Sequence, residues 1–279
     1  MRLALLALVT CAAVCATVPA IAAPAQTQAV EFKSGDVSIK AVLFMPEGPG
    51  PFPAVVGLHG CEGLNGPGGV LSPHYREWAD RLGKAGFAVL YPDSFGPRGI
   101  ETQCRSRGSV LRASRQRVAD ANAARVWLQQ QPFVKPDRVS LAGWSSGGTN
   151  TLWAVRTRAR AKDGKPDFRS AVALYPGCTR LDALAWAARV PTLILIGGAD
   201  DLASARQCEK MVANARGRSA RVSFVVYPGA YHGFDHPHET LQVRSGYALS
   251  ANASGRVHTG TNVAARNDAL RRVPQWLAR

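Results

Sequence analysis

The sequence has no Cys/His set with zinc spacing, no G-x-x-x-x-G-K-[ST] phosphate loop and no G-x-G-x-x-G turn after a strand-like run. Its motifs therefore do not point to structural zinc, nucleoside triphosphates or dinucleotides. It has no Gly-X-Y period, heptad run or internal repeat, which excludes fibres and solenoids. Charge is too sparse (19%) and hydrophobic content too high (46%) for a disordered chain. No low-complexity tract or long linker divides it. At 279 residues it can bury a large core and reads as one domain.

Acidic residues are scarce: 19, against 34 Lys and Arg, for a formal net charge of +15. Such an excess invites a nucleic-acid partner. The densest cluster is Arg105, Arg107, Arg112, Arg115 and Arg117, followed by Arg125. It has no interleaved aromatics and opens a helical stretch, so it reads as a solvated face. Nucleic acid is not expected as a partner. Attraction to anionic envelope surfaces or acidic substrates remains compatible with the charge.

The only long apolar run is N-terminal. Met1-Arg2 carries one positive charge, Leu3 to Val18 is apolar, and Ala20-Ile21-Ala22 is an A-x-A cleavage pattern. Residues 1–22 read as an export signal, leaving a mature domain of residues 23–279. The run is short for a spanning helix, so no stable membrane insertion is expected after cleavage. Thr10 and Val14 precede Cys11 and Cys15 where a lipoprotein leader needs a small residue.

Export bears on the cysteines. Cys61, Cys104, Cys178 and Cys208 remain, an even number that suggests two disulfides in an oxidising compartment. Four cysteines allow three pairings. The layout favours Cys61–Cys104 and Cys178–Cys208, each joining loops that follow nearby strands.

After a short hairpin (Val30–Phe32, Val37–Phe44), apolar runs alternate with helical patterns. Strands are expected at 54–58, 87–91, 138–142, 171–174, 192–196 and 222–226. Helices are expected at 75–84, 111–130, 147–160, 203–215 and 262–277. The alternation implies an α/β fold with a mainly parallel central sheet, helices on both faces and an antiparallel edge.

Gly143-Trp144-Ser145-Ser146-Gly147 fits G-x-S-x-G with a strand before it and a helix after it. A sharp turn there lifts the Ser145 hydroxyl into a cleft, and glycines two residues away on either side relieve the crowding. The helix N-terminus favours a developing oxyanion. Serine needs a base, and histidine can take and return a proton near neutral pH. His232, in Tyr231-His232-Gly233-Phe234 after the last strand, is favoured over His236, His238 and His258. The acid falls in Gly197-Gly198-Ala199-Asp200-Asp201. Asp200 is favoured, because Asp201 stands nearer a helix N-cap. The N–H groups of Ser146 and Cys61 are the candidate oxyanion donors.

The chain resembles the dienelactone hydrolase family of the α/β-hydrolase fold. The resemblance rests on Leu58-His59-Gly60-Cys61-Glu62-Gly63, Tyr91-Pro92-Asp93-Ser94-Phe95, the Ser145 motif, Gly197 to Asp201 and Tyr231 to Phe234. It implies hydrolysis of small-molecule esters or lactones with no metal or organic cofactor. Two features depart from the family's namesakes. Ser145 stands where they use cysteine, and Gly60 stands near where they carry a glutamate. Arg98 lies one residue from where they hold a carboxylate-gripping arginine, and its other reading is a solvated loop arginine. Trp144, Tyr75 and Phe95 are candidate pocket walls. Trp127, Trp153 and Trp186 read as core or boundary.

The expected activity is that of an exported serine hydrolase working through an acyl-enzyme. A peptidase, an acyltransferase or a non-catalytic binding protein on the same scaffold are the alternatives.

Overall fold

The computed structural model describes residues 26–105, 110–159, 163–248, 250 and 254–279, with the side chains of 110–114 left aside. The expected leader, Met1–Ala22, and Arg107 lie outside the described residues, as does the side chain of Arg112.

The run Phe52–Leu58 is apolar on both faces and forms β3, buried from Ala54 onward. Only a strand covered on both sides by helices tolerates this. Ahead of it, β1 (Gln26–Ser34) and β2 (Val37–Met45) pair as an antiparallel hairpin. After it come β4 (Ala88–Pro92), β5 (Val134–Trp144), β6 (Ala171–Leu174), β7 (Thr192–Gly197) and β8 (Val222–Tyr227). One sheet contains all eight, in the order β1-β2-β4-β3-β5-β6-β7-β8. Strands β3 to β8 run parallel, and β2 is antiparallel to β4.

That order decides where the site forms. The chain goes from β3 to β4 on one side, then returns to place β5 on the other side of β3. The register pairs Leu58 with Gly143. The loops leaving β3 and β5 therefore diverge at a topological switch point, where a crevice opens beyond the carboxyl ends of the strands.

Helix α1 (Pro73–Lys84) starts with proline in its first turn, where a missing N–H costs nothing. His74, Tyr75, Trp78, Ala79 and Leu82 form its buried stripe. The longest helix is α2 (Val110–Gln129), and α3 (Ser146–Ala154) follows the serine. A short α4 (Thr179–Ala183) precedes α5 (Ala205–Asn214), and α6 (Val263–Leu277) is C-terminal. α1 packs on α6, and α2 on α3. The two helix pairs cover the two faces of the sheet, whose β7 residues Thr192–Gly197 are all buried. Burying one such Leu or Ile contributes about 1.5–3 kcal/mol.

Several elements differ from the sequence expectation, which did not include the short α4. α3 stops at Ala154, not Arg160. Arg189 explains the stop: its guanidinium donates to the carbonyls of Ala154 and Arg156 and pairs with Asp167. α5 begins at Ala205, capped by Ser204, whose hydroxyl accepts from Gln207 N at 3.4 Å. Asp201 is therefore not that helix's cap. Finally, β9 (Gln242–Arg244) and β10 (Val257–Thr259) form a small antiparallel ribbon beside the site. Strands of three residues are too short to leave an alternating run to read.

Both disulfides form as the layout favoured: Cys61–Cys104 and Cys178–Cys208.

Candidate active site

Ser145 sits between β5 and α3 with φ 54° and ψ −120°. A non-glycine residue held there costs on the order of 1–3 kcal/mol. The surroundings enforce it: Ser145 N donates to Leu174 O at 3.0 Å, and Thr149 N donates to Ser145 O at 2.9 Å. The flanking glycines are needed for space. A Cβ on Gly143 would lie 2.4 Å from Gly147 O, and one on Gly147 would lie 2.0 Å from Leu58 O. The turn thus wedges against the β3 loop.

His232 reaches the serine from the loop after β8. Its Nε2 lies 2.9 Å from Ser145 Oγ, and its Nδ1 lies 2.8 Å from Asp200 Oδ2. The other carboxylate oxygen, Oδ1, accepts the N–H groups of Leu202 (2.9 Å) and Ala203 (2.8 Å). Asp200 is thereby fixed on both oxygens. With the carboxylate accepting from Nδ1–H, Nε2 is left to accept the serine proton. Asp201 faces the other way. It accepts from His258 Nδ1 at 2.8 Å and from His258 N at 2.9 Å, tying β10 to the same loop.

The loop after β3 is ordered by two buried side chains. The carbonyl of His59 accepts from Arg117 Nη2, while the N–H of the same peptide, on Gly60, donates to the Tyr75 hydroxyl at 2.7 Å. His59 Nδ1 lies 2.9 Å from Gly60 O, and Ser94 N donates to His59 Nε2 at 3.3 Å. His59 is therefore a neutral, structural histidine. Burial, with Arg117 nearby, holds its pKa well below the ordinary value. The Cys61–Cys104 bridge and the bond from Gln103 N to Cys61 O (2.8 Å) anchor the next peptide. Ser146 opens α3, where the first N–H groups have no partner within the helix. Its hydroxyl accepts from Arg117 Nη1 at 3.2 Å.

Arg117 and Arg125 correct the reading of a solvated arginine face. Arg117 is buried against the Phe95 ring (5.2 Å) beside the site. Arg125 is buried on Asp163, Pro166 O and Phe168. Helical spacing carried both side chains inward, where carbonyls and carboxylates receive them.

Arg98 also departs from its expected place. It lines neither cavity at Ser145. Both of its terminal nitrogens engage the buried Asp120 carboxylate at 2.8 Å, and Nη1 also donates to Ser94 O at 2.7 Å. A buried carboxylate on α2 outcompetes the cleft for it. Phe95 lies beneath the site, edge-on to His59 at 4.6 Å, and walls neither cavity. Trp144 and Tyr75 do line the cleft. Trp186 is core, and Trp127 and Trp153 pack at its margin.

Two cavities meet at Ser145, His232, Tyr175 and Cys61. The larger, about 380 Å³, is walled by Arg117, Ser146, Thr149, Asn150, Arg180 and Tyr247 among others. The smaller, about 60 Å³, is walled by Gly60, Glu62, Tyr75, His236, Glu239 and Arg244 among others. Arg244 pairs with Glu239 and with Glu62 (3.2 Å), and Tyr247 OH donates to Glu62 at 3.1 Å. The ribbon segment is thus strapped to the β3 loop.

Sequence reasoning missed the floor of the site. Asp235, fully buried, accepts on Oδ2 from His74 Nε2 (2.9 Å), Trp78 Nε1 (2.8 Å) and Trp144 Nε1 (3.1 Å). On Oδ1 it accepts from Tyr175 OH at 2.7 Å. Burial opposes its charge, but His74 and Tyr175 outweigh that and hold the carboxyl well below its usual range. The Tyr175 ring meets His232 edge-on at 4.6 Å. Asp235 stands three residues after His232, and no motif marks it. His74, Asp235 and His236 offer ligand atoms within 4.8 Å of one another. Asp235 is already saturated by donors, so this group reads as a hydrogen-bonded floor.

Comparison with known proteins places this geometry. The model of the "Dienelactone hydrolase family" matches residues 39–279. A Bradyrhizobium protein described as "Probable 2-oxo-3-(5-oxofuran-2-ylidene)propanoate lactonase" is 26% identical over 217 residues, 75% of this chain and 84% of that protein. Among solved structures, a dienelactone hydrolase-like promiscuous phosphotriesterase from metagenomic libraries superimposes with a TM-score of 0.69. Its identity is 20%, over 91% of this chain and 98% of that one. The dienelactone hydrolase of Anabaena variabilis gives a TM-score of 0.61 at 20% identity, over 91% and 97%. At these identities the structures establish the α/β-hydrolase fold.

Proposed function

Because the chain belongs to the dienelactone hydrolase family of carboxylic ester hydrolases, we propose that it cleaves small-molecule esters or lactones outside the cytoplasm through a Ser145 acyl-enzyme. The observation that carries this reading is the line Asp200–His232–Ser145, with hydrogen-bond distances of 2.8 and 2.9 Å.

His232 takes the Ser145 proton as Oγ attacks the carbonyl carbon. The tetrahedral oxyanion is held by the N–H groups of Cys61 and Ser146. His232⁺, stabilised by Asp200, returns the proton to the leaving alkoxide. Water then repeats the sequence and releases the acid. In a lactone the leaving oxygen stays tethered until this second half. The lactonase description of the Bradyrhizobium relative supports lactones as one substrate class.

Export is supported by the leader pattern at residues 1–22 and by the two disulfides, which persist in oxidising compartments. No helix among the described residues is long and apolar enough to cross a membrane. The mature unit is then a single catalytic domain, residues 23–279.

Fluorophosphonate labelling and p-nitrophenyl ester turnover test the reading, with wild type beside Ser145→Ala. The wild type is expected to label and turn over, and the variant to do neither while remaining folded. A folded wild type that neither labels nor turns over overturns the hydrolytic reading in favour of a binding protein on this scaffold.

A further inference from the structure

The Tyr75 hydroxyl is an unassigned group beside the nucleophile. It accepts the Gly60 N–H at 2.7 Å, and an N–H can only donate, so the phenol oxygen is the acceptor in that bond. The phenol's own proton finds no acceptor among the described residues. Tyr75 nonetheless lines the smaller cavity together with Ser145, Gly60, Cys61 and His232.

The approach to Ser145 is close. A Cβ placed on Gly60 would lie 3.4 Å from the Tyr75 hydroxyl and 3.6 Å from Ser145 Cβ. Phenol and nucleophile therefore flank one glycine, the residue immediately before the Cys61 N–H. The ring is held by packing against Trp144 and Tyr91, each with centroids 5.6 Å away. Burial pushes the phenol's pKa well up, against the pull of the Gly60 N–H, so the proton stays in place at neutral pH.

We propose that Tyr75 is a catalytic residue whose O–H donates to the developing oxyanion as a third donor beside the Cys61 and Ser146 N–H groups. This rests on the serine-hydrolase reading above. The physical logic is preorganisation. The Gly60 N–H polarises the phenol by donating to its oxygen, which strengthens its own donation. The aromatic packing fixes the ring, and the bond accepted from the Gly60 N–H leaves the O–H to point away from that peptide before charge develops. No atom is transferred from Tyr75. Its proton stays on the phenol while the carbonyl oxygen gains and then loses negative charge.

The test compares wild type, Tyr75→Phe and Ser145→Ala in the full chain. The readouts are kcat and KM for p-nitrophenyl acetate, and the inhibition constant of an aryl trifluoromethyl ketone, whose serine adduct carries the oxyanion. Tyr75→Phe should lower kcat by about 10²-fold and weaken the ketone by a similar factor, with KM changed less than about twofold. A merely structural role would not couple kcat to the oxyanion mimic in this way. A folded Tyr75→Phe whose kcat and ketone affinity both match wild type overturns the inference and leaves the hydrolase reading intact. Loss of kcat with unchanged ketone affinity also overturns it. Inactivity of the wild type overturns both. Should Tyr75→Phe not fold, 3-fluorotyrosine in place of Tyr75 keeps the acceptor and makes the O–H a stronger donor. Ketone binding should then tighten, and unchanged binding overturns the inference.

Discussion

The Trp144 indole and the Asp235 carboxylate lie 91 positions apart in sequence and meet at 3.1 Å, one residue from Ser145. Trp144 is the last residue of β5, so this bond ties the strand that aims Ser145 to the loop that carries His232. The same carboxylate holds Tyr175, which packs on the His232 ring.

Replacing Asp235 with Ala should therefore be costly. It leaves four buried donors without an acceptor, at about 1–3 kcal/mol for each unsatisfied group before relaxation. A net loss on the order of 3–5 kcal/mol is expected, read from the guanidinium unfolding midpoint. A shift below about 1 kcal/mol would mean the floor is not held by this carboxylate.

Adjacent aspartates should separate cleanly. Asp200 holds the His232 imidazole, while Asp201 holds His258 on the ribbon. Asp200→Asn should lower kcat by about 10⁴-fold, because an amide can support the wrong imidazole tautomer. Asp201→Asn should stay within about tenfold of wild type. Steady-state kinetics on one ester decides it, and the reverse ranking would reassign the acid.

The Cys61–Cys104 bridge closes a loop with a sequence separation of 43. Chain entropy predicts about 4 kcal/mol of stability from such a closure. The double variant Cys61→Ser, Cys104→Ser should lower the unfolding free energy by that order and also lower kcat, since the Cys61 N–H is the proposed oxyanion donor. A stability loss with kcat unchanged would separate the bridge from the oxyanion loop's geometry.

The ribbon strap should respond to pH. The hydrogen bond from His236, acting against burial, holds Glu239 at about 2, below its ordinary 4.5. Burial alone would lower His236, but Glu239 and Asp235 raise it above 6.5. A depressed carboxyl contributes stability above its unfolded value and loses it as pH falls from 4.5 toward 2. A raised histidine contributes below 6.5 and loses its contribution as pH rises through the folded value. The Tm gap between wild type and Glu239→Gln should therefore be widest between pH 4.5 and 6.5 and narrow on both sides. A gap that stays constant from well below pH 4.5 to well above pH 6.5 would exclude the ion pair as its source.

Much of this molecule is legible in one dimension. Apolar runs such as Ala171–Leu174 and Thr192–Gly197 report strands covered on both faces, because burial on two sides removes the need for alternation. The strand–turn–helix around Ser145 is legible because the elbow's crowding admits only glycine at 143 and 147. The chain order of serine, acid and histidine nominates His232 and Asp200, which the fold brings into line. The N-cap argument against Asp201 does not hold, since Ser204 caps α5.

What the sequence could not decide depends on which distant surfaces meet. Arginines on one helix look alike in sequence. Yet Arg117 is buried on a carbonyl of the β3 loop, and Arg98 is captured by Asp120 instead of the cleft. Asp235 and Tyr175 carry no local signature, because a hydrogen bond's partner is set by packing across the sheet and not by spacing along the chain. Local periodicity and turn chemistry are short-range properties, so the sequence alone determined the elements and the nucleophile's turn. The donors, acceptors and charges that surround that turn were decided only when β5 came to lie beside β3.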